Sequence, residues 1–203
     1  MKKLISFLMC LILSASPAMA GFQIEDGHGT GNRAKIDGLG RLSSLSVIET
    51  EFEHESEKNG LSFTWSNVSY NYDAGDTILL VQSTSDKEFF LHEITLSADV
   101  STPYVVHRIT GATTPVGTAV TGINANSKSG NVAEAVAKGD ETANSTQGDV
   151  VCHGILTSSA TLRLPFEGGI ILGNTDAIAV DFTDAGTNAY VTILGYYKEA
   201  IGN

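Results

Sequence analysis

Apolar and polar side chains alternate over residues 61–72, the pattern of a half-buried β-strand. Large side chains occupy odd positions from Leu61 to Trp65, and even positions from Val68 to Tyr72. Because successive side chains of a strand point to opposite faces, both parts of the segment predict strand structure.

Further apolar segments of strand length follow, and turn residues separate them. In the segment 89–97, Phe90, His92, Ile94 and Leu96 are predicted to share a face, and Gly168-Gly169 is predicted to form a turn. With few helical stretches between the segments, the pattern predicts an all-β fold, an antiparallel jelly-roll-like β-sandwich of about eight strands over residues 61–203. The predicted strands are 61–72, 77–82, 89–97, 104–110, 150–156, 161–166, 170–172 with 177–182, and 190–197.

Two stretches are too polar to predict as part of the sandwich core. Residues 111–148 are rich in Gly, Thr, Asn, Ser and Ala and are interpreted as a long surface excursion, with a short helix predicted at Val132–Lys138. Residues 21–60 are interpreted as a polar N-terminal attachment arm. Within this arm, the segment Arg41–Ile48 fits helix spacing and strand spacing equally.

Residues 1–20 have the three parts of a secretory signal peptide: a basic start, an apolar run and a small-residue stretch ending in Ala18-Met19-Ala20. Cleavage is predicted before Gly21, which gives a secreted or extracellular protein. Two alternatives stay open: translation beginning at Met19, and retention of the segment as an apolar membrane anchor. Cleavage would leave Cys152 as the remaining cysteine, interpreted as a small buried apolar residue that cannot form an internal disulfide.

The formal net charge of −11 argues against nucleic acid and anionic membranes as partners, because both require clustered Lys and Arg. Nor do the residues predict catalysis. The five histidines, His28, His54, His92, His107 and His153, are too far apart in sequence to form a metal pair. Gly27 to Gly31 lacks the third glycine of a dinucleotide-binding loop. We therefore predict no enzyme activity, and no catalytic, cofactor-binding or metal-binding residues.

Glutamate occupies every odd position from Glu49 to Glu57, a segment that fits a strand or a helix. In a strand, all five carboxylates would lie on one face. Such a row could bind a cation or a basic partner, but a solvated acidic face is the favoured interpretation.

Several aromatic side chains could line a sugar-binding face, although their alternation fits core packing better. They are Trp65, Tyr70, Tyr72, Tyr104, Tyr196 and Tyr197.

The segment Asp26 to Asp37, reading DGHGTGNRAKID, and the following residues up to Glu51 resemble the opening of small virion structural proteins of tailed bacteriophages. The later order is also similar, with Gly117 to Val120, Asn124 to Asn126, Gly169 to Leu172 and a last strand near Tyr196-Tyr197. The resemblance implies a jelly-roll body in a capsid decoration or head–tail fibre component. It also implies a homo-oligomer, a trimer or a pentamer, that contacts other virion proteins and carries no catalytic residues.

Two other functions stay open. A secreted bacterial surface or matrix protein, either a fibre subunit or a glycan-binding module, would explain the leader, which a virion protein assembled in the cytoplasm does not need. An enzyme whose His and Glu side chains meet only in the fold is the third alternative.

Overall fold

The computed structural model describes residues 35–36, 42–43, 50–111, 114–141 and 148–198. The chain divides into two compact units, Met1–Ile48 and Glu49–Asn203. In the first unit, β1 (Lys35–Ile36) pairs antiparallel with β2 (Leu42–Ser43). The predicted leader lies outside the described residues, and no helix within them is long and apolar enough to cross a membrane.

The second unit is an antiparallel β-sandwich, which confirms the predicted fold class. Its strands are β3 (Ser62–Tyr72), β4 (Thr77–Ser83), β5 (Glu88–Ala98), β6 (Thr102–Ile109), β7 (Thr118–Val120), β8 (Ile123–Asn124), β9 (Ala135–Glu141), β10 (Asp149–Leu156), β11 (Thr161–Leu172), β12 (Ala177–Phe182) and β13 (Gly186–Lys198). The larger sheet has the strand order β10-β6-β12-β4-β9-β7, and the smaller sheet has the order β11-β5-β13-β3-β8.

The long strands pair in a nested order. The first of them, β3, pairs with the last, β13, and β4 pairs with β12. In the same way, β5 pairs with β11 and β6 pairs with β10. From β3 to β6, and again from β10 to β13, successive strands alternate between the two sheets, so the second series folds back antiparallel along the first.

The core lies between the two sheets and is rich in aromatic rings. Trp65 of β3 meets the ring of Phe89 edge-on at a centroid distance of 5.5 Å. Edge-to-face geometry of this kind stabilises aromatic pairs beyond the area that they bury. The largest fully buried side chains are Trp65, Tyr72, Tyr197, Phe63, Phe89 and Phe182.

In strand β3, the large side chains lie at odd positions up to Trp65 and at even positions from Val68, because they lie on different faces of the sheet. Phe63 and Trp65 face the core, whereas Val68 and Tyr70 point outward. Asn71 has a positive φ of 52°, a conformation that Asn tolerates better than most residues. This irregularity returns Tyr72 to the core.

Three local predictions are wrong. Residues 132–138 form no helix, because Ala135–Glu141 is strand β9, paired with β4 and β7. Phe90 and His92 do not share a face with Ile94, because a register shift in β5 reverses the alternation, and Phe89 and Leu91 are buried instead. Gly168-Gly169 is no turn between strands but part of an irregularity inside β11.

A short helix, α1 (Glu51–His54), precedes the sandwich and continues as a π-helical turn over Glu55–Asn59. Phe52 stacks on His92 of β5, with the ring centroids 4.2 Å apart, and meets Tyr196 of β13 edge-on. Residues 50–59, which the sequence places in the polar arm, therefore pack on the sandwich.

Candidate functional site

His107 is the buried histidine of the sandwich, and it is joined to Asp181. Its Nε2 lies 3.1 Å from Asp181 Oδ2, and its Nδ1 lies 3.3 Å from the carbonyl oxygen of Gly148. Both neighbours are oxygen acceptors, so a ring N–H of His107 can donate to either of them. The Thr77 hydroxyl donates to Asp181 Oδ1 at 2.8 Å.

This arrangement has the residue types of a catalytic triad but not its geometry. In a triad, the hydroxyl donates to the histidine, which activates it as a nucleophile. Here the Thr77 hydroxyl donates to the carboxylate, and Thr77, His107 and Asp181 are all buried. The contacts suit a structural pair that joins β4, β6 and β12.

The other histidines lie apart from this pair. His54 is exposed on α1, His92 lies under Phe52, and His153 is exposed on β10, while His28 lies outside the described residues. Across the described ranges, no group of three His, Cys, Asp or Glu side chains is placed to hold a metal ion.

The acidic run is helical from Glu51 to Glu57, and the carboxylates of Glu51, Glu53 and Glu55 have separate structural contacts. Thr50 and Glu53 form a reciprocal capping box, and the hydrogen bond from the Thr50 backbone lowers the pKa of Glu53. Glu51 accepts a hydrogen bond from Lys198, which raises the pKa of Lys198. Glu55 is buried and accepts a hydrogen bond from Asn59, while Glu49 lies outside the described residues. These contacts offer no common face for a cation.

Of the six aromatic side chains considered for sugar binding, five are buried and Tyr70 is 67% exposed. Sequence reasoning missed its neighbour Tyr190, which is 46% exposed on the same outer face of the smaller sheet. Tyr190 pairs with Val68, and Tyr70 pairs with Asn188. Tyr190 alternates with the apolar residues Ala189 and Val191, and this alternation could have identified it from the sequence. Both neighbours are buried, so Tyr190 points outward.

A cleft of about 210 Å³ opens beside Lys87, Glu134 and Tyr197. The Tyr197 hydroxyl donates to the carbonyl oxygen of Glu134 at 2.9 Å, and burial raises the pKa of Tyr197. The cleft is smaller than the roughly 300–1,000 Å³ that ligand pockets usually have, so it is a weak candidate for a small-molecule site.

The two lateral edges of the sandwich are built differently. We call β7, β8 and β9 with residues 121–134 the closed edge, and β10 with β11 the open edge. At the closed edge, Asn124 Nδ2 donates to the carbonyl oxygen of Gly60 at 2.8 Å, and Asn131 Nδ2 donates to that of Asn59 at 2.9 Å. Asn126 likewise donates to the carbonyl oxygen of Ser56. These amides fasten the closed edge to the π-helical turn.

At the open edge, the described residues provide no further strand on the outer side of β10 or β11. Ile155 is 74% exposed and Val150 is 55% exposed, both on β10. Cys152 is half-buried against the core rather than fully buried, and burial raises the pKa of its thiol.

The chain matches no protein-family model, no curated protein and no solved structure. Function is therefore inferred from the fold and from its exposed surfaces.

Proposed function

We propose that this chain is a non-enzymatic structural protein of a virion, a capsid decoration or fibre/attachment component that works as an oligomeric module. We also infer that its body is a jelly roll. The observation that carries both is the nested pairing of eight long strands, from β3 with β13 to β6 with β10. Eight strands in two sheets are the architecture of jelly rolls, which include viral capsid domains.

Two further observations support a structural role. The buried His107–Asp181 pair joins β6 to β12, and the acidic run contributes helix capping and tethering contacts. Fold alone does not determine function, so the proposal also uses the resemblance of residues 26–51 to phage virion proteins.

The test is mass spectrometry of the protein's N-terminal peptide after particles have been separated from soluble and envelope fractions. The proposal expects a peptide beginning at Met1 or Met19, present in the particle fraction in fixed proportion to a known capsid protein. A peptide beginning at Gly21, found only in the soluble or envelope fraction, would overturn it and leave a secreted β-sandwich. A host cytoplasmic protein, measured in every fraction, controls for contamination.

A second function, a secreted glycan-binding module, is favoured by one specific observation. Tyr70 and Tyr190 are exposed near each other on one sheet face, and tyrosine rings of this kind can stack on sugars. Hydroxyl groups lie beside them, because Ser66 and Thr192 occupy the next outward pair along the same two strands.

A glycan array separates this function from the first. If the protein is a glycan-binding module, we expect the wild type to bind glycans and Tyr70→Ala and Tyr190→Ala to lose this binding. Thr161→Ala, at an exposed position on β11 of the same sheet, should keep it. Absence of binding by the wild-type protein would remove this second candidate.

A further inference from the structure

The open edge presents two long strands that, within the described part of the chain, are each paired on one side only. Strand β10 has 8 residues and pairs with β6, while β11 has 12 residues and pairs with β5. An unpaired edge exposes backbone N–H and C=O groups that can pair with another chain. Natural proteins usually shield such edges with charges, prolines, bulges or very short strands.

The two strands of this edge differ in how they are shielded. Strand β11 contains Pro165, which lacks an N–H, and a register irregularity between Pro165 and Ile170. Strand β10 has a single irregularity near its start, between Val150 and Cys152. From Val150 to Leu156 it contains no Lys, Arg, Asp, Glu or Pro. The backbone of β10 is therefore available for pairing over most of its length.

Apolar side chains accompany this backbone edge. Val150 and Ile155 pair with His107 and Pro103 of β6, which are four residues apart, so both point to the same outer face of the larger sheet. The inward side chains of β11 touch the core but stay partly exposed, unlike those of the inner strands. They are Leu162, Leu164, Phe166 and Ile170.

We propose that the open edge is the surface on which a second copy of this chain docks. Charge favours this occupant: with a formal net charge of −11, two copies repel each other over most of their surfaces. The segment 150–156 carries no charged side chain apart from the ionisable His153, so copies can approach there without opposing like charges. A basic partner protein would instead be drawn to the acidic parts of the surface.

The edge also allows copies to close into a ring. A cyclic oligomer of more than two copies needs a head-to-tail contact, in which two different patches of neighbouring copies meet. The open edge offers two different strands side by side, so β10 of one copy can face β11 of the next. This inference deepens the proposed function by naming the surface through which copies assemble.

The experiment compares sedimentation velocity of the full-length wild-type protein with that of Ile155→Lys and Val132→Lys across a dilution series. Val132 is 79% exposed on the closed edge, so it is a matched control for placing a lysine at an exposed apolar position. We expect the wild type and Val132→Lys to form the same oligomer. We expect Ile155→Lys to dissociate with a dissociation constant raised about tenfold or more, which corresponds to about 1.4 kcal/mol.

Circular dichroism and thermal unfolding should show that both variants fold as the wild type does, because both side chains are exposed. A wild type that stays monomeric at every concentration would overturn the inference, and so would an oligomer that Ile155→Lys does not weaken. A monomeric wild type would also remove the oligomeric part of the proposed function, whereas the virion role itself is tested separately by the protein's presence in particles.

Discussion

At the closed edge, β7 and β8 are only three and two residues long, whereas at the open edge β10 and β11 have eight and twelve residues. The closed edge is fastened by asparagine side chains to backbone carbonyls of residues 56–60. The open edge has exposed apolar side chains, and among the described residues each of its two strands is paired on one side. The two edges of one sandwich therefore differ in how far the described residues cover them, and the open edge is the one we propose for assembly.

The largest expected effect concerns the strand next to the open edge. His107→Ala should lower the free energy of unfolding by about 3 kcal/mol or more, because it removes a partner of the buried Asp181 carboxylate and leaves a cavity where the buried ring was. It also removes the contact to Gly148, the residue that precedes β10. Urea denaturation measures the change.

The matched control is His153→Ala, an exposed position on β10 that should change the stability by less than about 0.5 kcal/mol. Equal stabilities of the two variants would contradict a structural role for the buried pair.

A smaller loss is expected from crowding the closed edge. A Cβ at Gly122 would lie 2.5 Å from Trp65 Nε1 and 2.7 Å from the Cβ of Ala133. Because Trp65 is fully buried and cannot move aside, Gly122→Ala should cost about 1–3 kcal/mol, measured by thermal or urea unfolding. A Cβ at Gly130 meets nothing within 4 Å, so Gly130→Ala should lie close to wild type. A Gly122→Ala protein as stable as Gly130→Ala would contradict the tight packing of Gly122 against Trp65 and Ala133.

The asparagine contacts can be tested with Asn124→Ala. This change removes side-chain hydrogen bonds to the carbonyl oxygens of Gly60 and Asn131 and one from the N–H of Asn126, and should cost about 1–2 kcal/mol. Limited proteolysis should then cut residues 121–134 faster than in the wild type. Ser127→Ala, at an exposed position of the same segment, is the control. Unchanged cutting would argue that these amides do not hold the closed edge.

The smallest effect concerns pH and the tether between β11 and β5. Arg163 Nε donates to Glu93 Oε1 at 3.0 Å, and this hydrogen bond lowers the pKa of Glu93. Since the folded-state pKa is depressed, the stabilisation is full above the unfolded-state pKa and is lost as pH falls through the folded-state pKa.

Arg163→Gln should therefore raise the pKa of Glu93 and reduce the loss of stability in acid, with the titration followed by NMR. Arg163→Lys should keep part of the shift, because it retains the charge and loses the forked geometry. A Glu93 titration that is unchanged in Arg163→Gln would contradict the tether.

The sequence predicted the sandwich well where apolar side chains alternate without interruption, as from Leu61 to Trp65. It failed where an irregularity changes the alternation. In β5 the register shift near His92 reverses the parity, and such shifts depend on the partner strand β13 rather than on local residues. Strand β9 was missed because its residues are small and polar, and its pairing with β4 and β7 is set by tertiary contacts.

The candidate surfaces were predictable only in part. Thr50 and Glu53 have the spacing of a capping box, so the helical state of the acidic run could have been read from the sequence. The His107–Asp181 pair could not, since its residues come from distant strands that the sheet brings together. Nor could the open edge, because strand order decides which strands are left at an edge.

The most direct test of the contrast between the edges is hydrogen–deuterium exchange of the wild-type protein, followed by mass spectrometry at low and high protein concentration. The account predicts that peptides covering residues 150–156 gain protection as the concentration rises, while peptides covering residues 118–124 exchange at the same rate throughout. Exchange in residues 150–156 that does not depend on concentration would contradict the claim that this edge is the assembly surface.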